Sequence, residues 1–488
     1  MSQLTAFWLA VGGYMCVVCG IGLWNYRRAS SEEGFLLAGR SLGPVIGGAT
    51  LMANQVSAGA TIGIVGFHYY SGFSYAWSWP LVWIGWMVCA LFVAPKIRRH
   101  AGFTLPDFFA ARYDSGSVRA VSAIFILIAY SVMLSAQYQA GGLLFSLLSG
   151  FPYGTSILFV AGVTTAYTFL GGMYSNAYVG LLKAVLLLGG YVLAVPFLLG
   201  QLGGLHAIGA ALYAIDPRLT ANWFGWRQLL SISAAVGLGL AAAPYEISAI
   251  YAMQSRRATR MAIGWSFFFQ AFVGVGVLIF GLSLRVLMPY LPDPDLGTPT
   301  LGQSVLPFGA GLLVLVAAVV TFTRTGGAIL LTVASAVSHD LYGRFVAPQA
   351  TEQARVRVGR AAVVLFSAIP VVLAFRHLGL VNFIVIYAAK LMVSFLFIPV
   401  VVGLNWRRGT AAGALASMLG GLGVCVAWSL LGQPYFLGLD SAEAGVLVSV
   451  LLFVGVSVMT APVEPGKLSV FFPDLVPGHA AAPSVHGT

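Results

Sequence analysis

Hydrophobic residues along this chain do not alternate with polar ones in a helical or strand period. They come in long runs, cut at charged or Pro/Gly-rich breaks. Each run is near the roughly 20 apolar residues that a helix needs to cross a bilayer, and the pattern predicts about thirteen spans. They lie near 6–25, 43–70, 76–95, 120–148, 152–170, 174–200, 229–252, 262–288, 306–339, 359–375, 379–404, 411–431 and 443–461. The reading is therefore an all-α integral membrane protein.

Composition supports this and narrows it. Of 488 residues, 59% are hydrophobic and 8% charged, and mean hydropathy is +0.91, which excludes a soluble globule and a disordered chain. About a dozen spans with short loops leave no room for an appended soluble domain. The net charge of +11 is informative through its placement. With the N-terminus outside, cytoplasmic loops collect 18 cations and the opposite loops only Arg218, Arg227, Arg285 and Arg376. This asymmetry predicts N-terminus out, C-terminus in, in a multi-pass protein of the cytoplasmic (inner) membrane, with the bilayer and no nucleic acid as its partner. The first apolar run has no basic region before it and is expected to stay as a helix. Cys16, Cys19, Cys89 and Cys425 fall in apolar runs and are read as buried small residues, with no metal site.

Two spans are unusually rich in glycine for lipid crossing. The second holds Ser57-Ala-Gly-Ala-Thr-Ile-Gly63 and Gly66, and the seventh holds Gly237-Leu-Gly-Leu-Ala-Ala-Ala-Pro244. They lie five spans apart, an odd number, so corresponding helices cross in opposite directions. That is the arrangement of an inverted repeat whose broken first helices expose backbone groups to a ligand at the membrane midplane.

Several motifs now carry a resemblance. They are the Ser57–Gly63 break running to Tyr70-Ser-Gly72, Phe103-Thr-Leu-Pro-Asp-Phe-Phe-Ala-Ala-Arg-Tyr113 and Gly171-Gly-Met173, followed by Ser338-His-Asp-Leu-Tyr342 and Gly403-Leu-Asn-Trp-Arg-Arg-Gly-Thr410 to Gly413-Ala-Leu415. In this order and spacing, over residues 43–415, the chain resembles the sodium:solute symporter family. The resemblance implies a LeuT-type fold, five plus five inverted-repeat helices with flanking helices. The expected division is 1–42, an extra helix and cytoplasmic loop; 43–200, the first repeat; 201–228, an extracytoplasmic loop; 229–404, the second repeat; 405–461, two further helices; and 462–488, a cytoplasmic tail. Read on its own residues, Asp107 beside Pro106 is expected to cap a short interfacial helix with Phe108 and Phe109 toward the membrane.

The resemblance also implies an ion site. Carried over by position, its first-helix carbonyls are those of Ala53 and Val56, and its eighth-helix positions are Thr321, Arg324 and Thr325. Arg324 stands where a Ser or Thr is usual. A guanidinium cannot ligate a cation and carries the charge that sodium would supply, so Arg324 itself is expected to occupy the sodium site. Around a second ion position the matching residues are Val179, Gly180 and Lys183, so an acid is missing and a cation has appeared. Lys183 is a candidate ion mimic or proton carrier. Gln55 lies where some members have Asp.

Lys183, Arg324 and Lys390 fall within spans, opposed there only by Glu246. Charges at bilayer depth must face a cavity or one another. Gln55, Ser57, His68, Tyr245, Glu246 and Lys390 are therefore candidates for substrate contact or gating, and Lys390 is equally a candidate partner of Glu246. The expected function is secondary active transport of a small polar or anionic solute by alternating access. Sodium is the coupling ion implied by resemblance. The residues point instead to a sodium-independent exchanger, uniporter or proton-coupled carrier, and the interior cations favour a carboxylate. A transporter-like sensor would need a separate signalling partner. Intramembrane His pairs, paired acids and Ser-His sets are missing from the sequence, so an enzyme is not expected.

Overall fold

In the computed structural model, residues 3–100, 102–376, 379–431 and 439–472 are described. The tail assigned to 462–488 thus lies largely outside the described residues. Among the described residues 11 helices are long and apolar enough to cross a membrane. With Tyr153–Leu202 divided at Gly172 and the broken stretch 44–71 added, the segments follow the predicted runs: α1 (Thr5–Asn25), α2 (44–71), α3 (Ser74–His100), α4 (Gly116–Ser149), α5 (153–171), α6 (173–202), α7 (Gly225–Ala252), α8 (Arg256–Leu287), α9 (Phe308–Val346), α10 (Glu352–Phe375), α11 (Val381–Asn405), α12 (Ala411–Leu430) and α13 (Ser441–Met459). α5 and α6 are nearly continuous and bend at Gly172, where φ is +51°. An added Cβ there would lie 2.4 Å from the Phe35 carbonyl oxygen, so the turn needs glycine for its dihedral and for its space.

α9 lies at the centre, with 89% of its most apolar stretch enclosed, against 33% for α1, α12 and α13 at the rim. It packs along α5 and α6, while α8 packs on α2 and α3 packs on α7. The last contact is glycine on glycine: an added Cβ on Gly85 would fall 2.1 Å from the Gly237 carbonyl carbon. Peripheral α1 explains one correction. Cys89 and Cys425 are buried as expected, but Cys16 is exposed and Cys19 only half-buried on the rim helix.

Three of the motifs meet on one face. Helix Leu105–Tyr113 is capped by Thr104, whose hydroxyl accepts from the Asp107 N–H at 3.0 Å. Asp107 is therefore not the cap; its carboxylate takes Arg119. Phe108 and Phe109, expected to face the membrane, are fully buried. Arg112 is buried too and donates to the carbonyls of Gly403 (2.7 Å), Trp406 (2.8 Å) and Gly409 (3.3 Å), fixing the exit of α11. At the end of α9, His339 Nδ1 lies 2.7 Å from Glu32, which also receives Arg355 at 3.2 Å. Burial pushes the Glu32 carboxyl up, but His339 and Arg355 outweigh it and hold it below the usual range.

Candidate functional site

The helix Pro44–Gln55 stops because the next residue, Val56, leaves helical geometry (φ −79°, ψ 83°). The chain resumes as a wide helical turn over Gly59–Ile64 and continues through Val65–Ser71. A break strands backbone groups that a regular helix would satisfy, so each needs a partner. Gln137 on α4 supplies one, accepting from the Ala58 N–H at 3.0 Å, and Ser57 Oγ accepts from Gly59 N–H at 3.1 Å.

The orphaned carbonyls are met by a lysine. Lys183 Nζ on α6 donates to the carbonyl of Ala53 at 2.8 Å, to that of Val56, and to Thr325 Oγ1 at 3.2 Å. Thr325 in turn donates to Ala53 O at 3.1 Å. The ammonium is fully buried and its partners are neutral oxygens from α2 and α9. This corrects the expectation for Arg324: the ammonium of Lys183, not the guanidinium, holds the position framed by Ala53, Val56 and Thr325. A compact ammonium on a four-carbon stem fits among these converging oxygens.

Arg324 reaches past that point. Its Nη1 donates to Asn54 Oδ1 at 2.8 Å and its Nη2 to Thr50 O at 3.4 Å. Gly180 gives it room, since a Cβ there would stand 3.2 Å from Arg324 Nε. Asn54 passes the contact on by donating from Nδ2 to Tyr245 O at 3.2 Å. Thr321 does not join; its hydroxyl donates to Ala317 O in its own helix at 2.7 Å.

The second break lies at Ala242 and Ala243, between Gly225–Ala241 and Pro244–Ala252. Tyr245 N–H donates to Tyr130 Oη at 3.1 Å, and the two rings stack 5.5 Å apart at 5°. Glu246 is fully buried; the Gln55 and Asn54 side chains approach its carboxyl, but among the described residues neither oxygen receives a well-aligned hydrogen bond. Both amide atoms of Gln55 are also unpaired.

Two candidates fall elsewhere. Lys390 pairs with Asp440 at 2.8 and 2.7 Å, not with Glu246. Asp440 precedes α13 and also receives Ser231 at 2.9 Å. His68 is buried near the C-terminal end of α2, where Nδ1 donates to Gly72 O at 3.0 Å and the ring meets Tyr75 edge-on at 5.5 Å. It closes a helix end and does not line the breaks. Asn54 and Gln137 were missed by sequence reasoning, although Asn54 adjoins a predicted ligand position.

A family model described as the sodium:solute symporter family matches residues 35–421. The chain belongs to that family. The symporter relatives include the high-affinity proline transporter PutP of Bacillus subtilis, 29% identical over 86% of this chain and 91% of that protein. The monocarboxylic acid transporter of Corynebacterium glutamicum is 27% identical over 88% and 83%. Among solved structures, a Na+-coupled sialic acid symporter in a substrate-bound outward-open state superposes with a TM-score of 0.82 at 16% identity, covering 94% of this chain and 98% of that one. The symporter fold is thereby shown. A nucleobase-cation-symport-1 transporter, Mhp1, is similar at a TM-score of 0.56 and 16% identity, covering 91% and 98%.

Proposed function

We propose that this symporter-family protein carries a small polar or anionic organic solute across the cytoplasmic membrane by alternating access, without sodium as its coupling ion. The observation that supports this is the Lys183 ammonium on Ala53 O, Val56 O and Thr325 Oγ1. Two unit charges about 3 Å apart repel strongly in a site shielded from water, so the ammonium and a sodium ion exclude each other there. The tethered charge does the structural work of an ion, joining α2 to α6 and α9 at the break. It cannot be released with the solute, and so it cannot couple a sodium gradient.

Relatives that carry proline or monocarboxylic acids support transport over catalysis. The cation-rich side is assigned to the cytoplasm, with the N-terminus outside. A proton-coupled carrier is the second reading, favoured because the Lys183 amine rests on neutral oxygens and has no carboxylate to hold its proton in place. The test is counterflow and uptake of L-proline, pantothenate and pyruvate in proteoliposomes, with choline replacing sodium. Flux of at least one solute undiminished without sodium is expected, and acceleration by an acid-outside gradient selects proton coupling. Flux that appears only with sodium would contradict the proposal.

A further inference from the structure

The three interior cations are all engaged. Lys183 sits on the first break, Arg324 on Asn54 and Thr50, and Lys390 on Asp440. Among the described residues, what remains unmet around the two breaks, besides Arg324 Nε, is of another kind: both carboxyl oxygens of Glu246, both amide atoms of Gln55, and Nε2 of Gln137. These side chains come from three helices. Gln55 ends the inner half of α2, Glu246 lies in the first turn after the α7 break, and Gln137 projects from α4 onto the α2 break through Ala58. Asn54 and Gln55 flank the Glu246 carboxyl, and Arg324, Tyr130, Tyr245 and Cys89 are its other neighbours.

A structural role does not explain this set. The first turn of a helix favours a carboxylate, yet a buried carboxylate that served the fold would hold donors on its oxygens, as Asp440 does with Lys390, Ser231 and Ser441. Leaving two buried acceptors and an amide without well-aligned partners is costly unless a ligand completes them. The groups needed are complementary to those present. Glu246 takes N–H donors from a positively charged nitrogen, while Gln55 and Gln137 offer N–H to an acceptor oxygen.

We infer that Glu246 receives the protonated amine of the transported solute, and that the solute is a small amine-bearing zwitterion rather than a nitrogen-free carboxylate. This rests on the transporter reading above and deepens it. Gln55 and Gln137 orient the solute's oxygen end. Arg324 acts as a positioning residue, holding Asn54 against the Tyr245 carbonyl so that the two breaks stay in register.

The test is thermal unfolding of the purified full-length protein in choline chloride, with glycine, L-alanine or L-proline against acetate, propionate or lactate, each at the same millimolar concentration. An amine-bearing solute is expected to raise the midpoint by several degrees. Glu246→Gln is expected to unfold no earlier than wild type without solute, and to need at least tenfold more of that solute for the same protection. Protection by the nitrogen-free acids alone overturns the inference, as does amine protection that survives Glu246→Gln. A solute-free Glu246→Gln protein that unfolds several degrees earlier overturns it too, because the carboxylate then serves the fold. Repeating the series in sodium chloride keeps the two readings apart. Protection of wild type that requires sodium contradicts the Lys183 assignment and leaves the Glu246 comparison intact.

Discussion

The two broken helices interrupt the same fold in the same way and end in opposite conditions. At the α2 break the freed backbone groups are matched: two carbonyls by Lys183, one N–H by Gln137, another by Ser57. At the α7 break Tyr130 and Asn54 match the backbone of Tyr245, and the adjacent Glu246 carboxyl lacks a well-aligned hydrogen bond. One break is sealed by a charge built into the chain; the other keeps bonding capacity in reserve. Unmet buried polar groups are costly, so the difference separates backbone groups that the fold itself completes from side chains assigned to a ligand.

The contrast is broken most severely at Lys183. Lys183→Ala orphans the Ala53 and Val56 carbonyls and is expected to lose on the order of 3 kcal/mol in choline, read as thermal unfolding. Because those carbonyls and Thr325 remain, added sodium should recover part of the loss in the variant. Arg324→Ser is next, at about 2 kcal/mol, since Asn54 Oδ1 loses a charged donor and the link between the breaks slackens. It should not by itself create a sodium response while Lys183 is present. Lys390→Met serves as a control outside both breaks. It leaves Asp440 with Ser231 and Ser441, costs on the order of 1 kcal/mol, and leaves sodium response unchanged.

The smallest effect lies in the loop between α8 and α9. Asp295 accepts from Val381 N–H at 2.8 Å at the start of α11, and burial pushes its carboxyl up to about 7, against the lowering effect of that hydrogen bond. Its folded value exceeds the unfolded one, so its contribution is full below the ordinary carboxylate range and is lost as pH rises through 7. Asp295→Asn should flatten the fall in stability between pH 5 and 8, measured as unfolding midpoints across that range.

Much of the architecture was legible because a span must be apolar over its whole length, and glycine clusters mark the helices that stop being regular. The bend at Gly172 was legible as Gly-Gly for the same reason. Contacts across the bundle were not. Arg324 and Lys183 both stood near the ion position in sequence, but which side chain enters it depends on the crossing of α6, α2 and α9 and on reach. Lys390 was read against Glu246, the interior acid, while its partner Asp440 lies 50 residues on, before α13. Phe108 and Phe109 look amphipathic in isolation and are buried because Arg112 draws their helix against the end of α11. The unpaired state of Glu246 is a property of its neighbours, which no local pattern encodes.

The most direct measurement is thermal stability of the purified wild-type protein in sodium chloride against choline chloride at equal ionic strength, over a rising concentration series. A specific ligand of the folded state must raise the midpoint as it saturates. With Lys183 on the ion position, the two salts should give superimposable curves. A rise with sodium alone, saturating with concentration, would mean that the ammonium yields its place to the ion and that the protein is an ordinary sodium symporter.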